Sequence, residues 1–176
     1  MLGALVERQI LAAERETGES AQWMRDLYRA SPSAMVKFSL FMPLSRHRKA
    51  ASAEQHAVAR LVATKTEDCG PCVQTIVNLS LKAGVDPAIL RAVLDERVED
   101  LPADLKSVYG FAYAVATAAP DASGRVERLK LELGEDATAE LALAVATTRV
   151  FPTVKRGLGY GVSCSRVTIG VGAGGG

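Results

Sequence analysis

The sequence predicts an all-α protein, and three observations support this class. Aromatic residues make up only 5% of the chain while alanine is abundant, a balance that suits close-packed helices better than a β-sandwich of branched and aromatic residues. Apolar residues recur at helical spacing along most of the chain. Residues typical of helix ends, namely serine, aspartate, proline and glycine, separate these stretches. The 176 residues suffice for one domain with a substantial core.

Residues 1–50 are predicted to form short helices that pack on the core of the domain. Breakers at Gly18, at the Ser31-Pro32 step and at the Met42-Pro43 step divide them. We expect their buried anchors to be Trp23, Leu27, Phe38 and Phe41.

Residues 51–160 form the predicted core. Ser52 followed three residues later by Gln55 is a capping-box pattern, and the apolar spacing after it predicts a helix that ends near Glu67. The remaining predicted helices run from Cys69 to Gly84, from a cap at Asp86, from Pro102 to before Pro120, from Val126 to Leu133, and from a cap at Asp136 through a kink at Pro152 to about Gly157.

Residues 161–176 are predicted to be an irregular, glycine-rich tail. The ending GVGAGGG has little to pack, so we expect it to be mobile unless a partner subunit holds it. Cys164 lies in this tail and is expected to be a spectator.

Composition excludes several classes of function. Apolar residues make up 48%, charged residues 23%, and the formal net charge is only +1, so neither disorder nor nucleic-acid binding is indicated. The N-terminus lacks the pattern of a secretory signal. The longest uncharged stretch, 108–120, is too short to span a membrane. We therefore expect a cytoplasmic protein with no membrane partner.

The tetrad Cys69-Gly70-Pro71-Cys72 has the spacing of a redox-active dithiol. Thioredoxins share it, but there it follows a buried strand, whereas the preceding SAEQHAVARLVATKTED has helical spacing. Free amides at a helix start favour a thiolate, and a three-residue offset lets the two sulfurs form a disulfide. Two inert buried cysteines, or half of a zinc site, are the alternatives. Zinc is disfavoured because the only other cysteine and histidine ligands are Cys164, His47 and His56.

The segment VATKTEDCGPCVQTIVNLSLKAGVDPAILRAVL resembles the alkylhydroperoxidase D and carboxymuconolactone decarboxylase superfamily, and the resemblance extends over about residues 50–160. It implies an alkylhydroperoxidase D-like (AhpD-like) helical bundle with CxxC at the start of a central helix, assembled as a trimer or hexamer. It also implies a thiol-dependent peroxidase or disulfide oxidoreductase that needs no tightly bound cofactor. Its partners would be a small hydroperoxide or a partner disulfide, and an external dithiol reductant.

The resemblance assigns peroxide attack to Cys72 and disulfide formation to Cys69, although the helix-start argument alone favours Cys69 as the thiolate. The family's proton relay is missing. Its histidine, four residues after the second cysteine, is Ile76 here, and its glutamate, twelve before the first cysteine, is Ala57.

Two residues are candidates to replace that relay. If the helices on either side of 66–68 form an antiparallel hairpin, His56 lies opposite 76–78, near the place of the missing histidine. Glu67 is adjacent to the dithiol and could exchange a proton with a thiol. Two other functions remain open: a lactone-processing decarboxylase, which does not depend on CxxC, and a non-catalytic helical module whose cysteines sense redox state.

Overall fold

The computed structural model describes residues 2–160 and 167–169. Within these residues the chain forms nine α-helices and no strand, which confirms the predicted all-α class. None of the described helices is both long enough and apolar enough to cross a membrane. Cys164 and the GVGAGGG ending lie outside the described residues. In chain order the helices are α1 (Leu2–Thr17), α2 (Gln22–Ala30), α3 (Pro32–Phe41), α4 (Ala53–Lys65), α5 (Gly70–Lys82), α6 (Pro87–Leu94), α7 (Ala103–Thr117), α8 (Ala122–Leu133) and α9 (Glu135–Gly157).

Helix α4 lies at the centre and packs against α5, α6, α7 and α9. Every side chain from His56 to Thr64 is buried. The predicted capping box is present: the Ser52 hydroxyl accepts a hydrogen bond from the Gln55 amide, and the Gln55 side-chain oxygen accepts one from the Ser52 amide. Because a capping box pairs amides that have no partner inside the helix, it fixes where this central helix begins.

Two apolar clusters hold the helices together. The main cluster is formed by the six helices α4 through α9. It contains Val58, Leu61, Leu90 and Phe111, all with almost no exposed surface. The smaller cluster is built mainly from α1, α2 and α3. The smaller cluster is bordered by side chains of α9, including Phe151 and Val154, so the N-terminal helices pack against the last helix of the main bundle.

Aromatic rings connect the small cluster to α9. The ring of Phe38 lies edge-on to Trp23 and to Phe151, with centroids 5.6 Å apart in each pair. Edge-on pairs of this kind add stability beyond the area they bury. Trp23 is buried as predicted, whereas Phe38 and the other two predicted anchors, Leu27 and Phe41, are only partly buried.

The start of α9 differs from the prediction. The helix begins at Glu135, directly after Gly134, whose φ of 88° is a left-handed conformation that favours glycine. Asp136 therefore lies in the first helical turn, and its prediction as the cap is wrong. The helix also continues past Pro152 to Gly157.

The chain turns sharply between α4 and α5. Helix α4 ends at Lys65, and Asp68 adopts a positive φ of 50° before α5 begins at Gly70. The two helices pack against each other as a helical hairpin. This turn delivers Cys69 to the start of α5.

A buried carboxylate ties the loop before α4 to α9. Glu140 accepts hydrogen bonds from the amides of Lys49, Ala50 and Ala51 at 2.8 to 2.9 Å. The Ala51 amide, followed by the other two, holds the pKa of Glu140 below its usual value against the opposing effect of burial. These hydrogen bonds hold the loop directly before α4 against α9.

Candidate dithiol site and its pocket

Cys69 and Cys72 form a disulfide in the structure, with Cα atoms 5.2 Å apart. Cys69 is the residue that precedes the first turn of α5, and Pro71 lies inside that turn. Proline is tolerated there because first-turn amides have no partner inside the helix. Both cysteines are buried, with 7% and 6% of their surfaces exposed. The prediction that the two sulfurs can form a disulfide is therefore confirmed.

The two cysteines line different spaces. Cys72 lines a pocket of about 90 Å³ that lies between the N-terminal helices and the main bundle. Its wall is mostly apolar and includes Trp23, Met24, Ile76 and Phe151. Cysteine on an apolar wall is poorly solvated, so charged groups that share the pocket have a strong effect on its thiol.

Cys69 lines two wider grooves, of about 560 and 250 Å³. The larger one lies beside the end of α4 and the end of α6, and residues 167–169 form part of its wall. The Gln74 side chain holds that short segment: its amide donates to the Thr168 carbonyl at 2.8 Å and its oxygen accepts from the Thr168 amide at 2.7 Å. Cys69 thus lines larger spaces than Cys72 does.

Arg60 is a charged side chain on the wall of the Cys72 pocket. Only 9% of the residue is exposed, and its Nε has no hydrogen-bond partner among the described residues. Burial, followed by repulsion from Arg46, lowers the pKa of Arg60 to about 10. The guanidinium therefore stays positively charged at neutral pH inside a largely apolar pocket.

Lys155 lines both the Cys72 pocket and the smaller Cys69 groove. Its Nζ lies 5.9 Å from the centroid of the Trp23 ring, which places the cation over the aromatic face. Burial lowers the pKa of Lys155, and Glu19 partly opposes this shift. A lysine with a lowered pKa that shares a pocket with each cysteine can stabilise a thiolate and can give up a proton more easily than an exposed lysine.

Glu67 is buried at the turn before the dithiol and is held by two arginines of α9. Its carboxylate oxygens accept from Arg149 Nε and from an Arg156 terminal nitrogen, each at 2.6 Å. Burial alone would raise the pKa of Glu67, but the hydrogen bonds from Arg156 and Arg149 outweigh it and hold that pKa below its usual value. A carboxylate with a lowered pKa is a weak base for a thiol. The predicted proton transfer between Glu67 and a thiol stays a prediction.

His56 is buried on α4, and it is not among the residues that line the Cys72 pocket. Its Nε2 has no hydrogen-bond partner among the described residues. Burial, followed by the positive charges of Arg60 and Arg48, lowers the pKa of His56 to about 4. The imidazole is therefore neutral at pH 7, and its predicted part in a relay to Cys72 stays a prediction.

Apolar side chains occupy both positions of the missing relay. Ile76 is buried on the wall of the Cys72 pocket, and Ala57 is buried in the main cluster. The polar groups near the pocket come from other residues: the hydroxyls of Thr64 and Thr148 lie 3.2 Å apart across α4 and α9. The pocket wall thus carries cations and hydroxyls, while Ile76 and Ala57 offer no group for proton transfer.

Arg60 and Lys155 are site residues that the sequence did not predict. One signal for Arg60 was available, because it is a charged residue on the helix face that also carries Ala57 and Thr64 and that turns out to be buried. No comparable signal marks Lys155. It lies almost at the end of α9, and only the packing of α9 against the N-terminal helices brings it to the disulfide.

No group of three or more histidine, cysteine, aspartate or glutamate side chains that could bind a metal ion occurs in the part of the chain that the structure describes. Comparisons with protein-family models, with curated proteins and with solved structures found no match. The fold and the site therefore define a class only: an all-helical protein with a disulfide-forming CxxC at the start of a helix.

Proposed function

We propose that this protein is a thiol-dependent peroxidase that reduces a small hydroperoxide with the Cys69 and Cys72 pair. The observation that carries the proposal is the asymmetry of the disulfide: Cys72 lines a small pocket with Arg60 and Lys155 on its wall, while Cys69 lines larger grooves. A pocket of about 90 Å³ favours a small molecule over the disulfide of a partner protein. The proposal agrees with the division of roles that the family resemblance implies.

The reaction starts from the reduced dithiol. The Cys72 thiolate attacks the terminal oxygen of the hydroperoxide, the O–O bond breaks, and the alkoxide leaves as an alcohol after it takes up a proton. Lys155 is the candidate donor of that proton because it lines the pocket and has a lowered pKa. Cys72 is left as a sulfenic acid.

Resolution and reduction complete the cycle. The Cys69 thiolate attacks the sulfenic sulfur of Cys72, so the disulfide seen in the structure forms and the hydroxyl leaves as water once it is protonated. An external dithiol then supplies two electrons and two protons by thiol–disulfide exchange. The wider grooves beside Cys69 give such a reductant its approach. Before the attack, the charged forms of Arg60 and Lys155 favour the thiolate form of Cys72, since a nearby positive charge stabilises the anion.

A peroxide-consumption assay with dithiothreitol as reductant tests the proposal. All variants carry Cys164→Ser, so that only the dithiol contributes thiols. We expect the parent protein to consume hydroperoxide and to form one Cys69–Cys72 disulfide per turnover in the absence of reductant. If both thiols stay reduced when excess hydroperoxide is added to the native protein, the proposal fails.

Assembly into a homo-oligomer belongs to the same proposal, since it derives from the family resemblance. Sedimentation at micromolar concentration measures it directly, with a trimer or a hexamer as the expected result and a monomer as the contrary one.

A further inference from the structure

The Cys72 pocket contains a positive charge that makes no direct ion pair with a described residue, although the more distant carboxylate of Glu16 partly offsets it. Arg60 is 9% exposed, lies on the pocket wall, and appears in no side-chain hydrogen bond or ion pair within the described part of the chain. An unpaired buried guanidinium is costly because the charge loses its hydration without gaining a partner. Arginine is well suited to pair with an anion at such a place, because its planar guanidinium donates two parallel hydrogen bonds to a carboxylate.

The rest of the pocket supports the same reading. Arg46, Arg60 and Lys155 line it against a single carboxylate, that of Glu19. Arg46 is already paired with Glu16 at 2.9 Å, so Arg60 and Lys155 provide the cationic character. The apolar part of the wall suits a hydrocarbon body. The hydroxyls of Thr64 and Thr148 add polar groups on the same wall.

The size of the pocket limits the ligand. A volume of about 90 Å³ is below the roughly 150 Å³ of a cavity that binds benzene. The pocket therefore favours a short-chain anion over a large one.

From the unpaired Arg60, the apolar wall and the size of the pocket, we infer that the Cys72 pocket binds a small organic anion whose carboxylate pairs with Arg60. The substrate part of this inference rests on the proposed function: the preferred hydroperoxide would carry a carboxylate, anchored by Arg60, with its O–O bond directed at Cys72. The binding part is independent of any redox chemistry, because the pocket and Arg60 are present in the disulfide form.

Trp23 makes binding directly measurable. It is the single tryptophan of the chain and lines the pocket, so its fluorescence should report a bound ligand. The disulfide form of the full chain is titrated with butanoate and, in parallel, with butanamide, which has the same shape and no charge. We expect saturable binding of butanoate that is at least about tenfold tighter than that of butanamide, since a charge-assisted pair in a desolvated site discriminates by about this factor or more.

Variants assign the effect to Arg60. Arg60→Met keeps the length and removes the charge, and we expect it to abolish the preference for butanoate. It should fold, with an unchanged or higher midpoint of thermal unfolding, because an unpaired buried charge is replaced by an apolar group. Arg60→Lys should retain part of the preference. Arg97→Met, at an arginine paired with Asp95 on the surface, is the control and should bind butanoate like the parent.

Each of the following results would overturn the inference: no saturable change in Trp23 fluorescence, equal affinities for the two ligands, or an unchanged preference in folded Arg60→Met. Binding to the reduced form but not to the disulfide form would also overturn it. Binding of butanoate by Cys72→Ser protein, combined with no peroxidase activity in the parent, would leave this inference standing and remove the proposed function. Activity on a neutral hydroperoxide without butanoate binding would do the reverse.

Discussion

The two cysteines of one disulfide line different spaces. Cys72 lines a small, mostly apolar pocket with Arg60 and Lys155 on its wall, and Cys69 lines two larger grooves, one of which shares Lys155 with the Cys72 pocket. The residues that surround Cys69 include a short chain segment held by Gln74. The difference teaches that two cysteines three residues apart on one helix can be suited to different partners, one to a small molecule and the other to a reductant.

The cations beside the two cysteines also differ in whether they are paired with a carboxylate. On the Cys69 side, the cation of Arg156 is paired with the carboxylate of Glu67. On the Cys72 side, the guanidinium of Arg60 has no acidic partner among the described residues. A paired cation contributes to stability, whereas an unpaired buried cation reduces it and remains available to a ligand or a thiolate.

The largest expected effect comes from replacing each of the two cysteines with serine in a separate variant. In the Cys164→Ser background, Cys72→Ser should lower hydroperoxide consumption by at least about a thousandfold, because the attacking nucleophile is lost. Cys69→Ser should react once and stop at a sulfenic acid, which dimedone traps and mass spectrometry detects. If the sulfenic acid is trapped on Cys69 in the Cys72→Ser protein instead, the assignment of the two sides is reversed.

The second effect concerns Lys155, which lines both the Cys72 pocket and the smaller Cys69 groove. Lys155→Met should lower the rate at which iodoacetamide alkylates reduced Cys72 at pH 7 by about tenfold, since loss of one nearby positive charge lowers the thiolate fraction by about that factor. The measurement uses the Cys69→Ser, Cys164→Ser protein. Lys37→Met, at an exposed lysine of α3, is the matched control, and an equal drop in that variant would contradict the prediction.

The third effect should be confined to the Cys69 side. Glu67→Gln should lower the free energy of unfolding by about 1–2 kcal/mol at pH 7, a value reduced from that of a fully buried pair because Arg149 and Arg156 are partly exposed. Urea unfolding measures it, and the rate of Cys72 alkylation should change by less than about twofold. Glu127→Gln, at an exposed pair with Lys130, should leave stability nearly unchanged.

The same pair predicts a pH dependence. Because the pKa of Glu67 is lowered in the folded state, its stabilisation is present above the unfolded value of about 4.3 and is lost as the pH falls through the folded value. The stability difference between parent and Glu67→Gln should therefore shrink below pH 4. A difference that grows as the pH falls would show that the carboxylate is not paired in solution.

The smallest expected effect on the dithiol comes from His56. Its lowered pKa means that the unfolded chain binds a proton between pH 6.5 and 4 that the folded chain does not bind. Stability is therefore lost as the pH falls through this window, by up to about 3 kcal/mol, and His56→Leu should flatten that loss in urea unfolding. Disulfide formation by hydroperoxide should keep its rate, because His56 does not line the Cys72 pocket. A clearly slower reaction in His56→Leu would support the predicted relay.

Local patterns were sufficient where a feature depends on a few neighbouring residues. The capping box at Ser52 and Gln55 and the cap at Asp86 are in place, because each cap is a contact between residues two or three apart. The disulfide pairing follows in the same way from a three-residue offset. The cap of α9 was mispredicted because Asp136 resembles a capping residue, while a left-handed glycine two residues earlier actually begins the helix.

The sequence by itself determined the helices, the dithiol and its place at a helix start, because propensity, capping and spacing act over a few residues. Only the tertiary structure decided what the dithiol faces. Arg60 and Lys155 are 95 residues apart in the chain, and they share a pocket with Cys72 because α4, α5 and α9 pack around it. It also placed Glu67 between two arginines of α9. Burial and charge pairing of this kind depend on distant segments, and no local pattern encodes them.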